Sequence, residues 1–128
     1  MRAMSFALTT AQILDGSKTV TRRLGWLHAR VGDRVRPVRQ AMGLRRGQRL
    51  EVLRDPITIV DVRREPLRAL LDDRDYGIRE CGLEGFGEHP LYRDPFWFVE
   101  WFCSTHRGCT PDTLVTRLAF VYSVEGVS

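Results

Sequence analysis

Gly16-Ser17-Lys18-Thr19-Val20-Thr21-Arg22-Arg23-Leu24-Gly25-Trp26 concentrates most of the candidate catalytic and binding side chains of this sequence. Of the 20 basic residues, nineteen are arginine and Lys18 is the one lysine. A chain that uses arginine wherever positive charge suffices points, at its one lysine, to a task arginine cannot perform. Desolvated lysine gives up its proton, whereas arginine effectively never does. An amine that can be neutral near pH 7 serves as general base or nucleophile. The competing reading is a lysine left by chance on an exposed turn.

The neighbours strengthen the functional reading. Val20 and the two threonines favour a strand, with Thr21 three residues after Lys18. In a regular strand these two side chains face opposite ways, so they converge only at a bend or bulge. Gly16 makes such an irregular start available. Arg22 and Arg23 add two guanidinium forks suited to phosphate or carboxylate, and Trp26 a ring that stacks on a base. Together they describe a pocket for a nucleotide or a nucleic-acid strand. The plainer alternative is a core Trp26 beside two solvated arginines.

The rest of the chain sets bounds. Its 128 residues suffice for one domain, which we place at residues 5–124. A hydrophobic content of 43% with 28% charged residues is that of a soluble globular protein. No apolar run approaches the roughly 20 residues of a membrane helix, and no signal peptide is read at the start, so no membrane partner and a cytoplasmic location are expected. A net charge of +4 favours polyanionic partners. The arginines crowd the first half, with Arg45 and Arg46 at the tip of a loop read over residues 40–48. An odd number of cysteines, three, argues against a disulfide framework.

Phe6 to Leu14 reads as a short helix, capped by Thr9 or Thr10 with Gln12 in a capping box and stopped at Gly16. Arg34 to Val38 alternates as a strand, placed at a sheet edge because of Pro37. Leu50 to Leu53 and Ile57 to Val62 read as strands. Glu65-Pro66-Leu67 opens a helix of about seven residues, and residues 72–87 read as a polar, glycine-containing stretch. Asp94-Pro95 starts an aromatic helix whose rings are assigned to the core rather than to a base-stacking platform. Leu114 to Tyr122 closes the chain as a strand. About five strands and three helices without a βαβ rhythm favour an α+β fold: a small, mostly antiparallel barrel with flanking helices.

The order of these features resembles the ASCH family. It rests on Ile13 to Arg23, Gly32-Asp33, Ile59 to Leu67, Glu84-Gly85-Phe86 and Val115 to Tyr122, with the aromatic helix between the last two. The resemblance implies a PUA-like β-barrel with a cleft and an RNA or nucleotide ligand. Some bacterial members are amidohydrolases of acetylated cytidine that use a threonine, a lysine and a glutamate. Their Lys-x-x-Thr spacing is matched by Lys18 and Thr21, and their glutamate falls at Glu84, with Glu80 as the alternative. Those enzymes continue after the threonine with Ile-Arg-Asp, where this chain has Arg22-Arg23-Leu24.

The primary expectation is therefore binding of RNA, single-stranded nucleic acid or a nucleotide through Arg22, Arg23, Trp26, Arg45 and Arg46. The alternative is amide hydrolysis by Thr21 with Lys18 as base and Glu84 orienting the amine or protonating the leaving nitrogen. A protein-interaction module is the rival from another class, to be recognised by an apolar patch around Trp97 and Trp101. No cofactor is expected. Cys103, His106 and Cys109, with Cys81 or His89 as fourth ligand, form the one alternative for a metal, set against the reading of these cysteines as small buried hydrophobes.

Overall fold

The computed structural model describes residues 1–41 and 43–123. Met42, inside the loop read over residues 40–48, and Val124, the last residue of the expected domain, lie outside them. The chain is α+β. In order it forms β1 (Ala3–Ser5), α1 (Thr10–Asp15), β2 (Val20–Arg23), β3 (Arg34–Val38), β4 (Ile57–Pro66), α2 (Ala69–Asp72), α3 (Arg74–Cys81), α4 (Pro95–Thr105) and β5 (Leu114–Val121). The strands make one five-stranded mixed sheet in the order β1-β3-β4-β5-β2, parallel between β1 and β3 and antiparallel elsewhere. Among the described residues no helix is long and apolar enough to cross a membrane.

Two apolar clusters hold the sheet between them. Met4, Phe6, Ile13, Val35, Ile57, Ile59, Leu118 and Phe120 fill one. The other gathers Leu67, Leu70, Cys81, Phe86, Phe98, Val99, Phe102 and Val115 under the helices. β5 contributes to both, since its side chains alternate between faces. The candidate site lies where the two meet.

Several elements differ from the sequence reading, each for a physical reason. The first helix begins at Thr10, and neither threonine caps it with its side chain. Thr10 Oγ1 instead donates to the carbonyls of Phe6 and Ala7. Gly16 does end it, at a φ of 81° that favours glycine. β3 is second in the sheet, not at its edge. Pro37 is tolerated because β4 pairs only with Arg34 and Val35, while β1 covers residues 36–38. Leu50 to Leu53 is not a strand; Val52 makes a single bridge to Val38. Glu65 and Pro66 still belong to β4, so the helix that follows is shorter and starts at Ala69.

The largest difference is over residues 72–87, which are helical. Asp73 caps α3 by accepting from the Tyr76 amide, and a π-helical turn, Gly82–Phe86, continues it. No apolar period announces this segment because several of the side chains that it buries are not hydrocarbon. Glu80 and Glu84 point inward beside Cys81 and Phe86. The aromatic helix α4 forms as expected, with Asp94 accepting from the Phe96 amide and Pro95 in its first turn.

Candidate functional site

Lys18 lies between Gly16 and the start of β2, on backbone that is neither helix nor strand. Its amide donates to Gln12 O, and its own carbonyl accepts from the Tyr122 hydroxyl. This irregular start is the bend that lets Lys18 and Thr21 line one cavity. Opposite them, the π-helical turn delivers Glu84. Gly85 permits the turn by taking a φ of 99°, and an added Cβ would stand 3.1 Å from Gln12 and 3.4 Å from Lys18.

The cavity holds about 150 Å³ and is lined by Lys18, Thr21, Arg22, Arg23 and Glu84 together with Phe6, Phe86, Phe98, Trp101, Phe102 and His106. Roughly 300–1,000 Å³ is usual for drug-sized ligands, so this one takes a single ring or a short fragment. Lys18 is buried. Its Nζ donates to Glu84 O at 2.6 Å and to Glu84 Oε1 at 3.1 Å. Burial pulls its pKa below the ordinary lysine value. Glu84 opposes that shift, and the neighbouring charges of Arg23 and Arg22 add to it.

Arg22 and Arg23 are adjacent and have opposite environments. The Arg22 side chain is fully buried and serves three carboxylates: Glu84 Oε2 at 3.1 Å, Glu65 Oε1 at 2.7 Å and Glu80 Oε1 at 2.6 Å. Although burial alone would lower its pKa, these carboxylates raise it. Arg117 grips Glu80 from the other side and reaches Asp61 Oδ2 at 3.3 Å. Burial would push the Glu80 carboxyl up, but Arg117 and Arg22 outweigh it and hold the carboxyl below its usual value. Arg23 instead donates to Thr21 Oγ1 at 3.0 Å and to Ser5 O at 2.7 Å.

Other candidates lie elsewhere. Glu84 lines the cavity, while Glu80 sits behind Arg22 and does not. Trp26 has a φ of 61°, carries the Arg2 guanidinium 3.8 Å above its ring, and borders a separate depression with His28 and Arg34. Arg45 and Arg46 are exposed on their loop. Trp97 is 48% exposed beside Phe96, whereas Trp101 turns inward onto Phe86, Tyr92 and Phe98, so the two do not share a patch.

Among the described residues no group of three or more His, Cys, Asp or Glu is placed to hold a metal ion. The Cys103 and Cys109 thiols are 3.5 Å apart, but the His106 ring stacks on Phe102, with Nδ1 against Phe102 O. Burial pushes the Cys81 thiol up to about 12. Sequence reasoning missed Tyr76 and the aromatic wall of the cavity, while Glu65 was in view within Ile59 to Leu67, without a role at the site. Arg117 was in view within Val115 to Tyr122, also without a role.

No protein-family model matches this chain, and no curated protein matches it. Among solved structures it is similar to the crystal structure of protein EF3133 from Enterococcus faecalis V583, described under family-model DUF984. The TM-score is 0.46 at 13% identity, over 99% of this chain and 85% of that one.

Proposed function

We propose that this chain is a PUA-like barrel of the ASCH type that binds a nucleotide or single-stranded RNA and takes one base into the Lys18–Thr21–Glu84 cavity. The observation that supports it is a polar floor facing an aromatic wall. Lys18, Thr21 and Glu84 offer donors and acceptors to a base edge, while Phe86 and Trp101 give its face an apolar surface. The small volume suits one ring rather than a strand. Equilibrium binding of mononucleosides, nucleotides and short RNA tests the reading. Lys18→Ala should weaken binding at least tenfold, since it removes a charged hydrogen-bond donor and leaves Glu84 short of a partner. Unchanged affinity in this variant would refute the assignment of the cavity.

Backbone contacts fall to arginines that are exposed and make no ion pair among the described residues: Arg34, Arg36, Arg45, Arg46 and Arg49. Arg22 is committed to its carboxylates and is not one of them. Affinity for single-stranded RNA should fall with salt. Replacing both Arg45 and Arg46 by glutamine should flatten the log–log salt slope by about 1.4, or about 0.7 for each lost phosphate contact. An unaltered slope places the strand on another face.

A second reading is supported by the Thr21 hydroxyl, whose proton has no acceptor among the described residues, beside a buried amine of lowered pKa. In it Thr21 Oγ attacks the carbonyl of an N4-acylated cytidine and Lys18 accepts the hydroxyl proton. The Lys18 ammonium returns that proton to the departing cytidine nitrogen, which the Glu84 carboxylate orients, and water then hydrolyses the acyl-threonine ester to release the acid and restore Thr21. Lys18 makes no hydrogen bond to Thr21 here, so the contact has to form with substrate bound. Lys18→Arg should lower turnover about 10²- to 10⁴-fold with binding nearly intact, because arginine cannot accept the proton. Thr21→Val should do the same. The rate should also rise with pH through the lowered pKa of Lys18. Absence of turnover by the unmodified protein would leave binding alone.

A further inference from the structure

We infer that Arg23 forms an anion subsite at the wall of the cavity, built for the phosphate of a mononucleotide or of an RNA terminus. The inference deepens the proposed function by naming the charged part of its ligand, but its own evidence is independent of any base. The three buried cations around half-buried Arg23 are all matched. Lys18 has Glu84, Arg22 has Glu65, Glu80 and Glu84, and Arg117 has Glu80 and Asp61. Arg23 makes no ion pair among the described residues.

The partners of Arg23 are neutral: a hydroxyl, a main-chain carbonyl and the face of Phe6, whose ring centre is 5.0 Å from the guanidinium carbon. Its Nη1 donates to nothing described and is not among the buried unpartnered atoms, so it keeps accessible surface, and Arg23 lines the cavity. Without a counter-charge, burial pulls its pKa down to about 10 despite Glu84. A half-buried charge with only neutral partners costs stability unless something negative comes to it. The two hydrogen bonds aim the fork, and Phe6 supports its face. That is the arrangement of a guanidinium held ready for an oxyanion rather than of one holding the fold together.

The test uses the whole chain and inorganic phosphate, followed by thermal unfolding against sodium chloride of matched ionic strength. With phosphate at ten times its dissociation constant, the midpoint should rise by about 4–6 °C. In Arg23→Leu the midpoint without phosphate should equal or exceed that of the parent, because an unmatched charge has been removed. Its response to phosphate should shrink to the general effect of an excluded salt. Arg23→Lys should retain part of the response, because an ammonium still meets the oxyanion without the planar fork.

An equal response in parent and variants, or none in the parent, overturns the subsite. So does marked destabilisation of Arg23→Leu, which would mean that the residue is structural. Cytidine and its 5′-monophosphate separate the two readings. Cytidine binding with no gain from the phosphate sinks the subsite and leaves the base cavity standing. A phosphate response with no nucleoside affinity does the opposite.

Discussion

Replacing Arg22 by leucine should cost about 3–5 kcal/mol of folding stability at pH 7, the usual result of removing one partner from a buried ionic cluster. Its guanidinium is the point on which Glu65, Glu80 and Glu84 converge, and its side chain has no solvent exposure. Leucine restores volume but no charge. Glu80 would keep Arg117 and Glu84 would keep Lys18. Glu65 would keep the Tyr76 hydroxyl, so the loss stays within that range rather than beyond it. Arg22→Lys should recover little, because one ammonium cannot span three carboxylates.

The pH dependence carries the diagnostic sign. In the parent, Glu80 titrates below its unfolded value. Its contribution is therefore present above that value, about 4.3, and is lost as pH falls through the lower folded pKa. In Arg22→Leu the buried carboxylates gain from taking up protons, so the deficit should narrow as pH falls from 7 to 5. Urea unfolding of both proteins at the two pH values measures it. A deficit under 1 kcal/mol, or one independent of pH, would mean that the cluster does not stabilise the fold through Arg22.

Gly77→Ala should destabilise by about 3 kcal/mol, at or above the top of the usual range for overpacking. Intrinsic propensity predicts the opposite sign, since alanine is favoured over glycine inside a helix by about 1 kcal/mol. The structure decides between them. A Cβ at Gly77 would stand 2.1 Å from Leu70 O and 2.6 Å from Pro95 Cγ, a main-chain atom and a ring that cannot swing aside. Here α3 packs against α2 and the start of α4. Forcing them apart also displaces the carboxylates that α3 and its π-helical extension carry, so ligand affinity should fall with the melting temperature. An alanine variant as stable as the parent would show that this packing is loose.

The sequence by itself determined the local pieces. Gly16, Asp94-Pro95 and the runs Arg34–Val38 and Leu114–Val121 form the elements their residues prefer, because caps, φ restrictions and strand propensity act over a few positions. The single lysine and Thr21 also marked the right place, and they do line one cavity. Tertiary structure decided what those residues face. Arg22 and Arg23 are indistinguishable as letters, yet among the described residues one is matched by three carboxylates and the other by none, since Arg22 reaches back to Glu65 and Glu80 while Arg23 reaches Ser5 and Phe6. The helix carrying Glu80 was hidden for a related reason. Its burial is balanced by arginines from β2 and β5, and charge matching across the sheet leaves no apolar period along the chain.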